Sequence, residues 1–221
     1  MALAWLAAGG AVALALACHE GVGPGACFES GARAYRFDYQ NDTNLVFHWP
    51  SSYNPVRVYA EPTGNLPATV QTAMALWTGA FHCRELTLTA AADSTHADIV
   101  VRSVVSLPAA VRAARVLYAD TSSACRGVTQ VPLDSAGTAL DGPMRSFVAP
   151  FPGADSAVVA ACYRFVTAHE LGHALGILAH SPDTADLMYQ SPRRLALSAD
   201  DRYTIQLLYH VASKIGPPPR P

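Results

Sequence analysis

The sequence predicts one α/β or α+β layered domain closed by helices. Three observations carry this expectation. A strand, a helix and two further strands follow one another between Val56 and Val105, a long helical stretch runs from about Ser156 to Leu175, and a short helix starts at Ser198. Val56-Arg57-Val58-Tyr59 alternates as a half-buried strand does, and Pro62, Gly64 and Asn65 mark the turn that ends it. Pro67 suits a first helical turn, and Val70, Ala73, Met74, Trp77 and Phe81 recur at the spacing of one apolar helix face. Leu86 to Thr89 reads as a short strand, and Ala97 to Val105, rich in β-branched residues, as the strongest one. From Pro108 to Gly153 prolines and glycines break the pattern, leaving strands at Val128–Leu133 and Met144–Phe151. Asp155 or Ser156 can cap the long helix, and Gly176 offers the positive φ that ends one. Ser198 and Asp201 have capping-box spacing ahead of the stripe Ile205, Leu208, Tyr209.

Composition limits the function classes. The 221 residues are 51% hydrophobic and 14% charged, with a net charge of -2. That is enough apolar chain for one core, and too much for a disordered tail protein. The charge balance also argues against a nucleic-acid binder held by a dense basic field. Residues 2–17 carry no charge, but the run falls short of the about 20 residues that span a membrane and contains Gly9-Gly10. It ends in small residues before Cys18, so residues 1–18 read as a signal sequence of a secreted or cell-envelope protein from a bacterium. Ala15-Leu16-Ala17 resembles a lipoprotein processing box, which makes Cys18 a candidate lipid anchor. Cys27, Cys83, Cys125 and Cys162 then remain, with three possible pairings and no C-x-x-C pair. Residues 19–44 read as a linker or short pro-segment, and residues 213–221 as a disordered tail.

The chemistry concentrates in His169-Glu170-Leu171-Gly172-His173 on the long helix. Residues four apart stack on one helix face, so both imidazoles can reach one ion. Zn²⁺ suits neutral imidazole nitrogen and keeps a position open for water when three protein ligands bind. Glu170, next to the first ligand, is placed as general base. Two ligands are too few, and Glu170 is the last Glu of the chain, so only His or Asp can complete the site. His180 is the expected third ligand, with Asp183 and Asp186 as alternatives.

The run HELGHALGILAHS resembles the metzincins, whose pattern is H-E-x-x-H-x-x-G-x-x-H followed by a Met-turn. Here Ala179 stands at the eleventh position and the His follows one residue later. Asp186-Leu187-Met188-Tyr189 resembles the Met-turn of the matrixin group, with Gln190 where Pro is usual, and Leu197 to Tyr209 resembles its closing helix. The Val56 strand, the Trp77 helix and Ala97-Asp98-Ile99 are similar in order and spacing. The resemblance implies a metzincin-like domain over residues 45–212: a mixed twisted sheet, a backing helix, a long active-site helix, a Met-turn and a C-terminal helix. It implies one catalytic Zn²⁺ held by His169, His173 and His180, with Glu170 catalytic. Gly176, Met188 and Tyr189 support the site, Met188 by packing beneath it and Tyr189 by lining the substrate wall.

A second zinc of the family's kind is not supported, because no His lies between His96 and His169. Ca²⁺ at Asp134 or Asp141 is a weaker reading than a solvated loop. Cys27, Asp38 or Asp42 could latch over the zinc, though linker residues are the better reading, and His19, His48, His82, His96 and His210 read as surface or core residues. The expected function is a zinc endopeptidase acting on protein or peptide substrates. The protein would be a monomer, without nucleic acid, and tied to a membrane only through its leader or Cys18. The substrate is expected to add antiparallel to an edge strand from the 128–151 region. The rival is a catalytically silent zinc-binding envelope protein, against which the presence of Glu170 argues.

Overall fold

A computed structural model of the chain describes residues 27–38, 42–43, 45–105, 116–119, 125–151, 153 and 155–220. The leader read over residues 1–18, with Cys18, lies outside the described residues, and so do residues 19–26.

Among the described residues, six strands and three α-helices follow one another: β1 (Val56–Ala60), α1 (Leu66–Thr78), β2 (Leu88–Ala90), β3 (Ile99–Ser103), β4 (Val116–Ala119), β5 (Cys125–Gln130), β6 (Met144–Pro150), α2 (Ser156–Ala174) and α3 (Ala199–Leu208). The strands form one mixed sheet in the order β2-β1-β3-β6-β5-β4. The first four are mutually parallel, while β5 runs antiparallel to both β6 and β4. Helices α1 and α2 pack against each other, α1 on β1–β3 and α2 on β4–β6. The α/β expectation and the mixed sheet therefore hold.

Two tryptophans from the first half of the chain set α2 in place. The Trp77 indole N–H donates to Ala168 O (2.8 Å), and that of Trp49 to Ala174 O (2.9 Å). Both rings are fully buried, so each indole is anchored by apolar area and one satisfied polar atom. The helix starts where the capping residue predicts: the Asp155 carboxylate accepts from Ala157 N (2.9 Å) and Val158 N (3.2 Å). The capping box of α3 is present as well, with Asp201 N–H donating to Ser198 Oγ and Ser198 N–H to Asp201 Oδ2. The disulfides are Cys27–Cys83 and Cys125–Cys162, and the second ties β5 to α2.

Four expectations need correcting. The second strand starts at Leu88 instead of Leu86, which is buried in the core just before it. The expected edge strand in the 128–151 region is internal, because β4 pairs along it from Val116↔Gln130 to Ala119↔Gly127. The free sheet edges among the described strands belong to β2 and β4. A lone strand in a proline-broken stretch carries too little alternation to be read.

The segment 19–44, read as linker or pro-segment, is docked over residues 27–38. The Cys27–Cys83 bond holds one end. Glu29 N–H donates to Gln206 Oε1 (2.6 Å), Tyr35 OH to Asp201 Oδ1 (2.6 Å), and Leu178 N–H to Phe37 O (2.8 Å). Covalent closure and partly buried hydrogen bonds order a stretch with no periodic apolar pattern.

The tail 213–221, read as disordered, is also docked over residues 213–220. Lys214 and Ile215 donate backbone N–H bonds to Val46 O, and Ile215 is buried. Arg220 pairs with the buried Asp98 at 3.0 Å and lies over the Tyr53 ring, 4.1 Å from its centroid. Tyr53 OH donates to Pro218 O. Prolines already restrict the unfolded chain there, so ordering it costs less conformational entropy.

Candidate active site

Helix α2 ends in a way that returns the chain to its own last turns. Leu175 is the C-cap, and Gly176 follows at φ +117°. Gly176 N–H donates to His173 O (3.0 Å) and Ile177 N–H to Gly172 O (3.1 Å), the bond pair of a Schellman motif. A side chain at Gly176 is excluded twice over: the left-handed φ disfavours any L-residue, and a Cβ would stand 2.1 Å from Phe47 O. We expect Gly176→Ala to destabilise the domain by about 3 kcal/mol, backbone strain and overpacking together. Urea unfolding checks this, and an unchanged midpoint would show that the turn can relax.

Beyond the turn, Ile177 and Leu178 are buried and Ala179 is partly exposed. The additional residue between Gly176 and the third histidine is thus absorbed without moving that histidine away. His169, His173 and His180 each offer a ligand atom within 4.8 Å of the others. The alternatives are engaged elsewhere. Asp186 accepts the Ser181 hydroxyl, and Asp183 caps its own turn by accepting Ala185 N–H (2.8 Å).

Hydrogen bonds select the tautomers. His169 Nδ1 lies 2.8 Å from Leu187 O and His173 Nδ1 2.6 Å from Ile177 O. A carbonyl only accepts, so both Nδ1 atoms carry the proton and both Nε2 atoms present a lone pair. His173 Nε2 and His180 Nε2 face each other at 3.3 Å, and His169 Nε2 is buried with no hydrogen-bond partner among the described residues. Burial, with the nearby His180, holds the His169 pKa down to about 3. Burial likewise lowers His173 strongly, helped by the other two imidazoles, and lowers His180. Three neutral imidazoles with converging lone pairs, one in a buried and otherwise unsatisfied position, fit a zinc ion by donor type and number.

The Met-turn lies directly beneath. Met188 is fully buried, and a Cβ on Gly172 would stand 2.5 Å from its Sδ and 2.5 Å from Trp77 Cζ2. Gly172, between the two helix histidines, is thus the gap into which Met188 and Trp77 pack. The turn is held from α3: Asp201 Oδ2 accepts Leu187 N–H (2.7 Å) and Oδ1 accepts Met188 N–H (3.2 Å). The same carboxylate takes the Tyr35 hydroxyl and the Ser198 N–H, so one buried group joins the N-terminal segment, α3 and the turn. Leu187, fixed this way, is the residue whose carbonyl orients His169. Tyr189, partly exposed, follows in a bridge to Ser181.

Glu170 is fully buried, and the Thr129 hydroxyl donates to its Oε2 (2.6 Å). Sequence reading missed Thr129, and it missed Asp201 as more than a helix cap. Neither carries a local signal, because each acts on a residue far away in the chain. Other candidates fall outside the cluster. Cys27, Glu85 and His210 come together, but the Cys27 sulfur is in a disulfide and offers no thiolate. Asp38 pairs with Arg36 (2.9 Å), and His96 with Asp93 (2.9 Å). Asp134 closes its own turn by accepting Thr138 N–H (2.8 Å).

The part of the chain that holds the three histidines also matches known proteins in sequence. Residues 137–210 match the peptidase family model described as Matrixin. A stretch of 63 residues is 48% identical to stromelysin-1 of Equus caballus, covering 26% of this chain and 12% of that protein. The chain thus spans about an eighth of the length of that curated relative. Among solved structures, the chain is similar to high choriolytic enzyme 1, a hatching-enzyme zinc protease of the medaka Oryzias latipes. That match has a TM-score of 0.44 and 14% identity and covers 79% of this chain and 100% of the other. The stretch that carries the histidine cluster is thus matrixin-like in sequence.

Proposed function

We propose that this domain is a zinc-dependent endopeptidase in which His169, His173 and His180 hold the metal and Glu170 is the general base. The observation that carries the reading is the set of three neutral imidazoles, two with their Nδ1 protons committed to backbone carbonyls, whose ligand atoms converge within 4.8 Å. The match of residues 137–210 to the peptidase family model described as Matrixin supports the same class. Bound there, zinc would supply a Lewis acid that polarises the scissile carbonyl and makes water acidic near neutral pH. Glu170 takes a proton from the attacking water as its oxygen bonds to the carbonyl carbon. It then passes that proton to the amide nitrogen as the C–N bond breaks. His169 and His173 stay neutral throughout, since their Nδ1 protons remain on Leu187 O and Ile177 O. Two disulfides favour an oxidising compartment, which supports export through the leader and a secreted or envelope location.

The test is cleavage of a quenched peptide or casein by the purified chain, before and after chelation. We expect one zinc per chain, loss of cleavage on chelation and its return when zinc is restored. Stoichiometric zinc with no cleavage under any of these conditions would reject the enzyme and leave a metal-binding protein.

A further inference from the structure

Resting on the peptidase reading above, we propose that Thr129, backed by Ser146, is a positioning residue that fixes the orientation of the Glu170 carboxylate. The side of β5 that faces α2 presents alternate residues to successive helical turns. Cys125 is bonded to Cys162, Gly127 abuts Val166, and Thr129 reaches Glu170. A strand advances about 6.8 Å in two residues and a helix about 6 Å in four, so the two stay in step across these three contacts. The disulfide pins the far end of this register, and the Thr129 hydroxyl arrives at Glu170 at the near end.

Each member of the row has a distinct consequence for Glu170. Gly127 makes room, since a Cβ there would stand 2.4 Å from Glu170 Oε1 and 2.3 Å from Val166 Cγ1. Thr129 Oγ1 lies 2.6 Å from Glu170 Oε2 and 3.0 Å from Glu170 O. A hydroxyl has one proton, and the contact to Oε2 is the shorter of the two, so that proton is assigned to Oε2. Ser146 stands opposite Thr129 in the β5–β6 register, its Oγ 2.9 Å from Thr129 Oγ1 and 3.4 Å from Glu170 O. Of its two acceptors, Thr129 Oγ1 and Glu170 O, Ser146 has the shorter contact with Thr129, and a hydroxyl that accepts one bond makes a stronger donor in the next. Both hydroxyl residues are fully buried, so water does not compete for either. With Oε2 held from the sheet, the carboxylate cannot rotate freely, and Oε1 keeps one direction.

The experiment compares Thr129→Val, Thr129→Ser and Ser146→Ala in the full chain, each checked for zinc content and thermal melting. Valine keeps the shape and removes the donor. We expect kcat to fall about 10- to 100-fold with KM little changed, as when a supporting hydrogen bond is lost. Serine should restore most of kcat, and Ser146→Ala should lower it less than valine does. A valine variant with stoichiometric zinc and wild-type kcat overturns the assignment. So does a serine variant that melts like wild type yet stays as slow as valine. If valine does not fold, Ser146→Ala decides, and unchanged kcat there overturns the relay.

A second readout is independent of turnover. With ¹³C-carboxyl-labelled glutamate, the signal missing from Glu170→Gln identifies Glu170. That signal should move in Thr129→Val, and if it stays in place the hydrogen bond is absent. Should the wild type cleave no peptide, the peptidase reading fails on that ground, and this resonance alone still decides the Thr129 assignment.

Discussion

Glu170→Gln is expected to reduce peptide cleavage by about a thousandfold while one zinc remains bound per chain, within the span attributed to general acid–base catalysis. The residue lies in a closely fitted space, with Thr129 Oγ1 on one oxygen and room for the other only because residue 127 is glycine. Glutamine fills that space and can accept the Thr129 hydroxyl, but it cannot take a proton from water. The expected signature is therefore lost kcat with retained metal and an unchanged melting temperature. Measuring kcat, zinc content and melting on one preparation checks it. If the glutamine variant keeps a tenth or more of wild-type kcat, Glu170 is not the base.

His180→Ala is expected to weaken zinc binding by about a hundredfold or more, above the range seen when only an outer partner of a metal ligand is lost. Two imidazoles from one helix cannot close a tetrahedral site. His180 lies beside His173 and stacks on His169 at a ring-centroid distance of 5.3 Å, so its loss opens one side of the cluster. Competition with a chromophoric chelator reads the affinity. The paired control is Asp183→Ala, which should bind zinc as wild type does because that carboxylate is turned to Ala185 N–H. Loss of zinc in Asp183→Ala with retention in His180→Ala would transfer the third ligand to the aspartate. Metal loss should also lower thermal stability, since anything that binds only the folded state stabilises it.

Much of the site was readable because it is local. His169, Glu170 and His173 share one helix face, and helical geometry converts their spacing into proximity without further information. Gly176 was readable as a helix stop for the same reason, and Ser198 with Asp201 as a cap. The stretch from Pro108 to Gly153 shows the opposite case. Its strand β4 was not readable and β5 starts at Cys125 instead of Val128, because the two are fixed by pairing with each other and with β6 and a proline- and glycine-broken sequence gives no steady alternation to read. The two terminal segments were misread for a related reason. Polar, glycine-rich or proline-rich composition describes what a segment cannot bury alone, and it is silent about a disulfide to Cys83 or an ion pair to Asp98.

By itself the sequence determined which chemistry is available: two histidines and a glutamate on one helix, a turn after Gly176, and no later glutamate to serve as a ligand. It also reduced the third ligand to His180 or one of two aspartates. Tertiary structure alone supplies which of these side chains other groups engage, and that supports the proposal of His180. Asp183 and Asp186 are taken by local hydrogen bonds, whereas His180 is not and faces His173. Tertiary structure alone also set Thr129 and Ser146 on Glu170 and Asp201 beneath the Met-turn. These are contacts between elements far apart in the chain, and their energies come from burial and from hydrogen bonds shielded from water, neither of which residue order encodes locally.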